Sequence, residues 1–555
     1  MNLPNTLRGI SIRCLLILFL AGAEVFAQRA GAGLTYVPMD SWVYPALERL
    51  AVRGLVTLQG LTLRPWSRHE CTAQVREARR QLQISEGLEV LERAALEQMI
   101  RELEREFAPD PEGRTVVVLE ALYGRNGWLE GPFLNDSYHF GTTWQNDSGR
   151  PFGRGYNAVF GFRMRAEAGR FFASVRGEHQ KAPGRAAHPL QVRQLMARLD
   201  DWPTLPSTEI APANDWKTLE AYAGMRVKNL AISVGRQELF WGPTADAPLS
   251  FSTNAAPTAN VKITLREPIR LGGWFRYLGA IRGEFVVGKL LGHQYTERPY
   301  YNGQKLSLQL TENFEIGATR WAIFLGAGHP VTFENLWRHI ASIRSGSAAG
   351  IRYARDPGDR KTGFDFRYRL PVLGRRVQLY SDSYADDDVN PLAAPRRAAI
   401  SPGLYFESLP RLRRMDLRLE AASTTPVGLD MGAQYTYYNN QYRSGNTHLG
   451  RILGSPVGRN GRQMQVRTAY WVSPRERLEF GFRQLKISNR MLPGGGTQTA
   501  GTIRYSRPVG ENWHASVFLQ AERFWIPVLG GPQKNFSGWF QMQWEPRMTI
   551  QPWRK

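Results

Sequence analysis

Tyr156-Asn157-Ala158-Val159-Phe160-Gly161-Phe162-Arg163-Met164-Arg165-Ala166-Glu167-Ala168-Gly169-Arg170-Phe171-Phe172-Ala173-Ser174-Val175-Arg176-Gly177-Glu178 is the stretch on which the fold turns. Tyr156, Ala158, Phe160, Phe162, Met164 and Ala166 alternate with Asn157, Gly161, Arg163, Arg165 and Glu167. Successive side chains of a strand point to opposite faces, so this period of two writes one oily face and one charged face. Ala168-Gly169 supplies a short turn. The chain then returns with Phe171, Ala173 and Val175 on the oily face against Ser174, Arg176 and Glu178. The stretch predicts an antiparallel hairpin.

The same pattern recurs along most of the chain. Leu219, Ala221, Ala223, Met225 and Val227 alternate with Glu220, Arg226 and Lys228. Phe364, Phe366, Tyr368 and Leu370 alternate with Asp365, Arg367 and Arg369. Met415, Leu417, Leu419 and Ala421 alternate with Asp416, Arg418 and Glu420. Leu478, Phe480 and Phe482 alternate with Glu479 and Arg483, and Trp513, Ala515, Val517, Leu519 and Ala521 with His514, Ser516, Gln520 and Glu522. A half-buried soluble sheet alternates too. Three features favour a membrane barrel: charges of both signs on the wet face, as in a polar lumen; aromatics such as Tyr368, Tyr470, Trp513 and Trp544 near strand ends; and short turns alternating with long loops at about 181–215, 325–350 and 382–402. In lipid every backbone N–H and C=O needs a partner, which only helices or closed barrels provide. After the first thirty residues no apolar run approaches the roughly 20 residues of a spanning helix. The mean hydropathy of −0.38 suits a barrel, where only alternate residues meet lipid. Roughly fifteen to twenty segments have barrel-strand length. The last candidate carries Phe536, Gly538, Phe540, Met542 and Trp544, and residues 545–555 follow as a short further strand or a periplasmic extension.

Residues 35–108 read differently. Asp40 and Ser41 can cap a helix whose stripe is Val43, Ala46, Leu47, Leu50 and Ala51, with Pro45 in the first turn and Gly54 as a stop. Ser67 and Glu70 have capping-box spacing; Cys71, Val75, Ala78 and Leu82 line the buried face of that second helix, which makes Cys71 a small core residue. A third helix covers about 88–107, with Leu96, Met99, Ile100, Leu103 and Phe107 apolar. Pro109-Asp110-Pro111-Glu112-Gly113 is a linker. Upstream, Arg8 and Arg13 precede an apolar core at residues 14–23 and small residues around a cleavage site between Ala27 and Gln28, the marks of a signal peptide. The expected organisation is a signal peptide at 1–27, a periplasmic helical domain at 28–110 and an outer-membrane barrel at 111–555.

The 555 residues carry a formal net charge of +22, and removal of the signal, which holds Arg8, Arg13 and Glu24, lowers it by one. Of the 71 cations 61 are arginine, whose planar fork suits carboxylates and phosphates. A basic barrel draws in acidic sugars or lipid headgroups; equally, charges of both signs line a wet lumen. Nucleic acid is not an expected partner of an exported chain. The two cysteines are Cys14, which leaves with the signal, and Cys71, so no internal disulfide is expected. Neither the cysteines nor the nine histidines fall in zinc or nucleophile motifs, and no catalytic residue, metal or cofactor is expected. His514 and Ser516 imitate a Ser–His pair, but the alternation faces them to the lumen. Asp386-Asp387-Asp388 has the oxygen ligands calcium takes and reads more simply as a solvated loop tip.

One segment departs from plain alternation: Gly235-Arg236-Gln237-Glu238-Leu239-Phe240-Trp241-Gly242-Pro243, followed by Ala247-Pro248-Leu249-Ser250-Phe251-Ser252-Thr253-Asn254-Ala255-Ala256-Pro257. Glycine admits close backbone approach and proline stiffens the chain, so a strand ends here in a constrained loop. Trp241 is a ring on which a sugar can stack, and Ser252 and Asn254 can bond its hydroxyls; alternatively Trp241, Gly242, Pro243, Ser252 and Asn254 are structural, folding the loop into the barrel. The segment resembles the signature of the capsule assembly Wzi family of outer-membrane proteins. Leu449-Gly450-Arg451-Ile452-Leu453-Gly454-Ser455-Pro456-Val457-Gly458, Asp40-Ser41-Trp42-Val43-Tyr44-Pro45 and Arg64-Pro65-Trp66-Ser67 are similar to further parts of that family; Asn460 stands where an acidic residue is expected. The resemblance implies an 18-stranded barrel occluded on its periplasmic side by a helical bundle, with a non-enzymatic role in assembling, exporting or retaining capsular or extracellular polysaccharide. Outer-membrane lipid, the polysaccharide and polysaccharide export machinery are the implied partners. A porin or substrate-specific channel is the alternative. A third reading makes the helices a cell-wall anchor, since Trp42 to Val56 also resembles surface-layer anchoring repeats.

Overall fold

The computed structural model describes residues 33–57, 60–108, 115–341, 358–371, 376–386, 397–425, 436–546 and 548–550. The signal-peptide cleavage site Ala27/Gln28, the linker 109–113, and Asp387 and Asp388 of the calcium reading lie outside the described residues. Asp386 is within them, paired with Lys361.

Eighteen antiparallel strands close a barrel. They are β1 Val116–Glu130, β2 Gly155–Ala168, β3 Phe171–Ala182, β4 Ala213–Val227, β5 Leu230–Gln237, β6 Thr258–Leu265, β7 Ala280–Lys289, β8 Tyr300–Thr311 and β9 Phe314–Phe324, then β10 Asp359–Arg369, β11 Val377–Asp386, β12 Ala399–Phe406, β13 Met415–Ser423, β14 Gly461–Trp471, β15 Arg477–Ile487, β16 Gly496–Val509, β17 Trp513–Trp525 and β18 Gln533–Trp544. The opening hairpin is β2–β3, with Ala168 opposite Phe171. The seam joins β18 to β1, from Leu122 opposite Trp544 to Glu130 opposite Phe536. Met548–Ile550 extends it, pairing with Val117, Val118 and Leu119, so this part of the tail is a short further strand. Closure leaves no unpaired edge, which is what lets a sheet stand in lipid.

The alternation sorts the side chains as the sequence implies. Phe160, Phe482, Phe536 and Met464 are 50–67% exposed on the outer wall, while Arg163, Arg165, Asp365 and Arg367 are buried within. Trp513 and Tyr470 mark the outer rim where short turns join the strands; Trp128, Tyr156, Trp216 and Trp525 mark the opposite rim, where long loops leave. Aromatic girdles sit at such levels because an amphipathic ring prefers the headgroup region. Leu219 is a correction to the sequence reading. Arg176 pairs with Glu220 but Gly177 pairs with Thr218. A bulge thus leaves Leu219 unpaired, and it turns inward to 4% exposure, because one extra residue resets the two-residue period.

The helices α1 Val43–Val52, α2 Arg68–Ile84 and α3 Val90–Glu106 fill the turn-side mouth. Their stripes make one core, including Leu47, Leu50, Cys71, Val75, Ile100 and Leu103, that continues onto Ala469 and Trp471 of the wall. Ser67 and Glu70 form the expected capping box, and burial raises the Cys71 thiol pKa. Of the two residues expected to cap α1, Ser41 does so and Asp40 does not. Ser41 Oγ accepts the Val43 N–H at 3.3 Å, with Trp42 in the N-cap position itself, whereas Asp40 is drawn 2.7 Å from Arg176 of β3. Even the polar face of α1 is buried. Glu48 meets Arg418, Arg64 and Arg367 at 2.7, 2.9 and 3.6 Å, and Arg49 and Arg53 meet Glu407 at 3.4 and 2.8 Å. Trp42 to Val56, the stretch behind the cell-wall-anchor reading, is thus largely enclosed by the bundle and barrel.

On the loop side, residues 183–212 and 325–341 carry α4 Leu190–Leu199 and α5 Phe333–Ala341. Three other loops, within 131–154, 238–257 and 436–460, turn into the lumen, where Asn135–Asp136 pairs with Gly141–Thr142 and Thr447–His448 with Arg451–Ile452.

Candidate functional site

The signature segment follows β5 into the lumen. Phe240–Trp241 pairs with Leu63–Arg64 from between α1 and α2, so the helical bundle and the signature share a strand pair inside the barrel. Trp241 is 1% exposed. Its indole N–H donates to Glu284 of β7 at 2.8 Å, and its ring meets Phe251 edge-on at 4.9 Å. Gly303 of β8 makes the slot for that ring: a Cβ there would lie 2.7 Å from the indole. Gly242 has φ +140°, and a Cβ would lie 2.9 Å from an Asp382 carboxylate oxygen; only glycine fits both demands. The Gly242 N–H donates to the Thr62 carbonyl at 3.0 Å, and the Pro243 carbonyl accepts from Arg367 at 3.3 Å.

Ser252 and Asn254 join the signature to the late glycine-rich segment. Ser252 Oγ donates to the Gly454 carbonyl at 2.6 Å and accepts the Asn254 N–H at 3.1 Å. Asn254 Nδ2 donates to the Ile452 carbonyl at 2.9 Å, and Tyr437 Oη donates to the Leu249 carbonyl at 2.8 Å. Asn254 is 0% exposed. The structure therefore brings all five signature residues together in a solid plug beside β7–β11, with Trp241 and Asn254 enclosed on every side. Asn460 is also buried, and accepts a hydrogen bond from Thr425 at 2.6 Å.

A buried tie between loops was not read from the sequence. His139 lies 2.8 Å from Asp136 and 3.0 Å from Asp200. Arg459 pairs with Asp200 between the rings of Tyr138 and Tyr438, each 4.5 Å away. Burial alone would lower the His139 pKa; the two carboxylates outweigh it and push the pKa up to about 10.

The other side of the lumen is hollow. A cavity of about 730 Å³ lies against β13–β18 and β1–β3, and the charged groups of its described lining are arginines, carboxylates and His514. His514 and Ser516 thus face the lumen from β17, away from the outer wall a lipid hydrolase would use. Phe518 and Trp539 stack at 5.5 Å and 24°. Arg504 lies 5.3 and 5.7 Å from their ring centres, and Arg125 lies 5.5 Å from that of Trp539. Gln465, Gln541, Gln543, Thr502, Ser506 and Ser516 share the lining. This mixture of rings, amides, hydroxyls and guanidinium forks can hold a polyhydroxylated ligand and its acid groups. Single-strand patterns show these residues facing inward, but not that the lumen before them is empty. Among the described residues no cluster of His, Cys, Asp and Glu could hold a metal, and no helix is long and apolar enough to cross a membrane.

Comparison with known proteins places this architecture. A family model described as capsule assembly protein Wzi matches residues 125–536. The chain is 24% identical over 172 residues to an uncharacterized 55.8 kDa protein in the cps region of Klebsiella pneumoniae; the match spans 30% of this chain and 33% of that protein. The solved structure of Wzi from Escherichia coli, described as an outer-membrane protein involved in group 1 capsule assembly and a carbohydrate-binding β-barrel, superposes with a TM-score of 0.66 at 15% identity, covering 94% of this chain and 100% of that one.

Proposed function

The chain belongs to the capsule assembly Wzi family, and on that footing we propose that this outer-membrane β-barrel binds polysaccharide and serves, without catalysis, in assembling, exporting or attaching a capsular or extracellular layer. The carrying observation is a lumen filled by the signature plug on one side and lined with rings, amides and arginines on the other. Carbohydrate binding is stated for the Escherichia coli protein and comes to this chain as part of the proposal. In the same reading, residues 1–27 are the signal, 28–110 form the periplasmic domain and 111–555 the barrel. The turn side faces the periplasm, where export machinery is within reach, and the loops face outward. The signature residues act by holding the plug, since they offer a glycan no open face. Deleting the gene and staining the surface for polysaccharide tests the reading: loss of retained layer, restored by the intact gene, is the expected outcome, and an unchanged layer would sink it. The channel reading predicts a large steady conductance in planar bilayers; the plug predicts that the full-length protein carries little.

A further inference from the structure

Turn-side connections of the barrel are as short as 169–170, 228–229 and 312–313. The connection from β6 to β7, residues 266–279, is the longest of them, and every residue from 267 to 278 is exposed. Its ends are fixed. The Arg266 N–H donates to the Asn229 carbonyl at 3.0 Å, and the Asn229 side chain accepts the Glu267 N–H at 2.9 Å and donates to the Glu267 carbonyl at 2.8 Å. Ile269 and Arg270 pair with Ile281 and Ala280 of β7. At the far end Gly279 has φ +68°, and a Cβ there would collide with the Gln309 carbonyl of β8. The 3-10 turn between them, Gly273–Leu278, buries no side chain, and Trp274, Phe275 and Tyr277 are 62–89% exposed. Three rings held out on a fixed backbone are unfavourable in water and mark an interaction surface. The neighbouring wall points to what covers them. Ile269 lies opposite Ile281, and Ile281 opposite Leu308; these alternate with the inward Arg282 and Ser307, so Ile269 continues the oily outer wall. The charges agree. The segment holds Arg266, Arg270 and Arg276 against one acid, Glu267, which lies 3.4 Å from His69 of α2; Arg270 and Arg276 are exposed.

We propose that residues 267–278 form an anchor seated in a phospholipid headgroup layer against the outer wall at β7 and β8, with Trp274, Phe275 and Tyr277 at the acyl boundary and Arg270 and Arg276 on lipid phosphates. The inference takes from the proposed function only that the turn side faces the periplasm, where the leaflet of an outer membrane is phospholipid. Trp and Tyr rings, apolar with a polar tip, settle at the headgroup level. An arginine keeps its stem along apolar surface and carries its fork outward to a phosphate. Arg276 and Tyr277 are already set as one unit: Arg276 Nη2 donates to Tyr277 Oη at 2.8 Å, and the guanidinium lies 4.9 Å from the ring centre. Amphipathic segments of this kind bind anionic lipid by apolar burial and charge together. Sited on one sector of the rim, the anchor fixes the depth and tilt of the barrel at β7 and β8, as interfacial aromatic and basic residues do.

The test places an environment-sensitive fluorophore on Phe275→Cys, or on Glu511→Cys in the short turn between β16 and β17, of the full-length protein in nanodiscs of phosphatidylethanolamine and phosphatidylglycerol; Cys71 is fully buried and stays unlabelled. Lipid brominated on its acyl chains is expected to quench the label at 275 about threefold or more over that at 511, and aqueous iodide to quench in the reverse order. Arg270→Gln with Arg276→Gln is expected to cut the bromide quenching about twofold, as is exchange of phosphatidylglycerol for phosphatidylcholine. Trp274→Ser with Tyr277→Ser is expected to abolish it while the compact band on an unheated gel is kept. Equal quenching at 275 and 511 would overturn the anchor. So would loss of the compact band, which would mean that these rings pack against protein, or an efficient disulfide-linked dimer across Phe275→Cys, which would give the face to a second copy. Labelling of Glu511→Cys on intact cells by a membrane-impermeant maleimide would place the turn side outward, and would overturn the proposed orientation together with the phospholipid assignment. Absence of bromide quenching without such labelling overturns the anchor alone and leaves the polysaccharide role standing.

Discussion

Strands β7–β11 and strands β13–β18 carry the same alternation of oily and wet residues, yet they face opposite interiors. Behind β7–β11 the lumen is solid: Trp241 fills the slot at Gly303, Phe251 packs 5.7 Å from Tyr301, and Lys305 pairs with Asp365 where both are 1% exposed. Behind β13–β18 it is hollow, and Gln541, Ser516 and Arg504 face a cavity. The wall pattern sets which side chains point inward. What they meet is decided by segments far away in sequence. A gap opposite Gly303 admits the indole, while the loops that reach β14–β17, at Thr142, Thr143 and Asp246, leave open space before Gln541, Ser516 and Arg504. The two halves should therefore answer mutation differently: the solid half through stability, the hollow half through binding.

The largest effects are expected in the solid half. Trp241→Ala empties a fully buried slot and leaves Glu284 without its indole donor; emptying such a site costs about 3–5 kcal/mol. Chemical unfolding of the refolded barrel, read as loss of the compact band on an unheated gel, checks this, and a loss below about 1 kcal/mol would show that the plug relaxes around the gap. Glu48→Gln is expected to match it at about 3–5 kcal/mol, because three guanidiniums would lose their buried anion. Burial acts to raise the Glu48 pKa, but Arg64, Arg418 and Arg367 together hold it at about 2, below its ordinary 4.5. A folded pKa below the unfolded one means that the stabilisation is complete above pH 4.5 and is lost as pH falls toward 2. The wild-type protein should lose stability across that window more steeply than Glu48→Gln.

His139 sharpens the comparison at the ceiling of the lumen. Its folded pKa of about 10 stands above the ordinary 6.5. The tie between loops 131–154 and 183–212 is therefore complete below pH 6.5 and weakens as pH rises toward 10. Amide exchange in residues 131–154 should quicken between pH 8 and 10 beyond the intrinsic rise, and His139→Gln should abolish the extra dependence. An exchange profile identical in wild type and variant would mean that Asp136 and Asp200 do not hold the imidazolium.

These expectations divide as the sequence itself divides. The β2–β3 hairpin, the Ser67–Glu70 capping box and the burial of Cys71 were legible because each is decided by neighbours within one turn or one hairpin. Leu219 was misread because a bulge is a pairing event between β3 and β4 that leaves no mark in the period of β4. Asp40 was misread because a local cap lost to a distant arginine. The plug was visible only as an unusual motif: Trp241 is paired with Leu63 and Asn254 with Ile452, links across about a third of the chain each that no local pattern encodes. The arginine surplus was legible as composition, but the open space before Arg504 was not, since an empty volume is a property of what fails to reach it.

The smallest effect is the one that separates the halves most cleanly. Gln541 lines the cavity half-buried, 3.5 Å from Gln543, so Gln541→Ala removes no packed neighbour and strands no charge. Its unfolding free energy should stay within about 0.5 kcal/mol of wild type, as at sites free of such features, and binding of polysaccharide should fall a few-fold. Trp241→Ala should do the reverse, lowering stability while the cavity keeps its affinity in the fraction that remains folded. Were Gln541→Ala to destabilise the barrel as strongly as Trp241→Ala, the two sides of the lumen would be one packed interior, and the contrast between plug and cavity would have no physical basis.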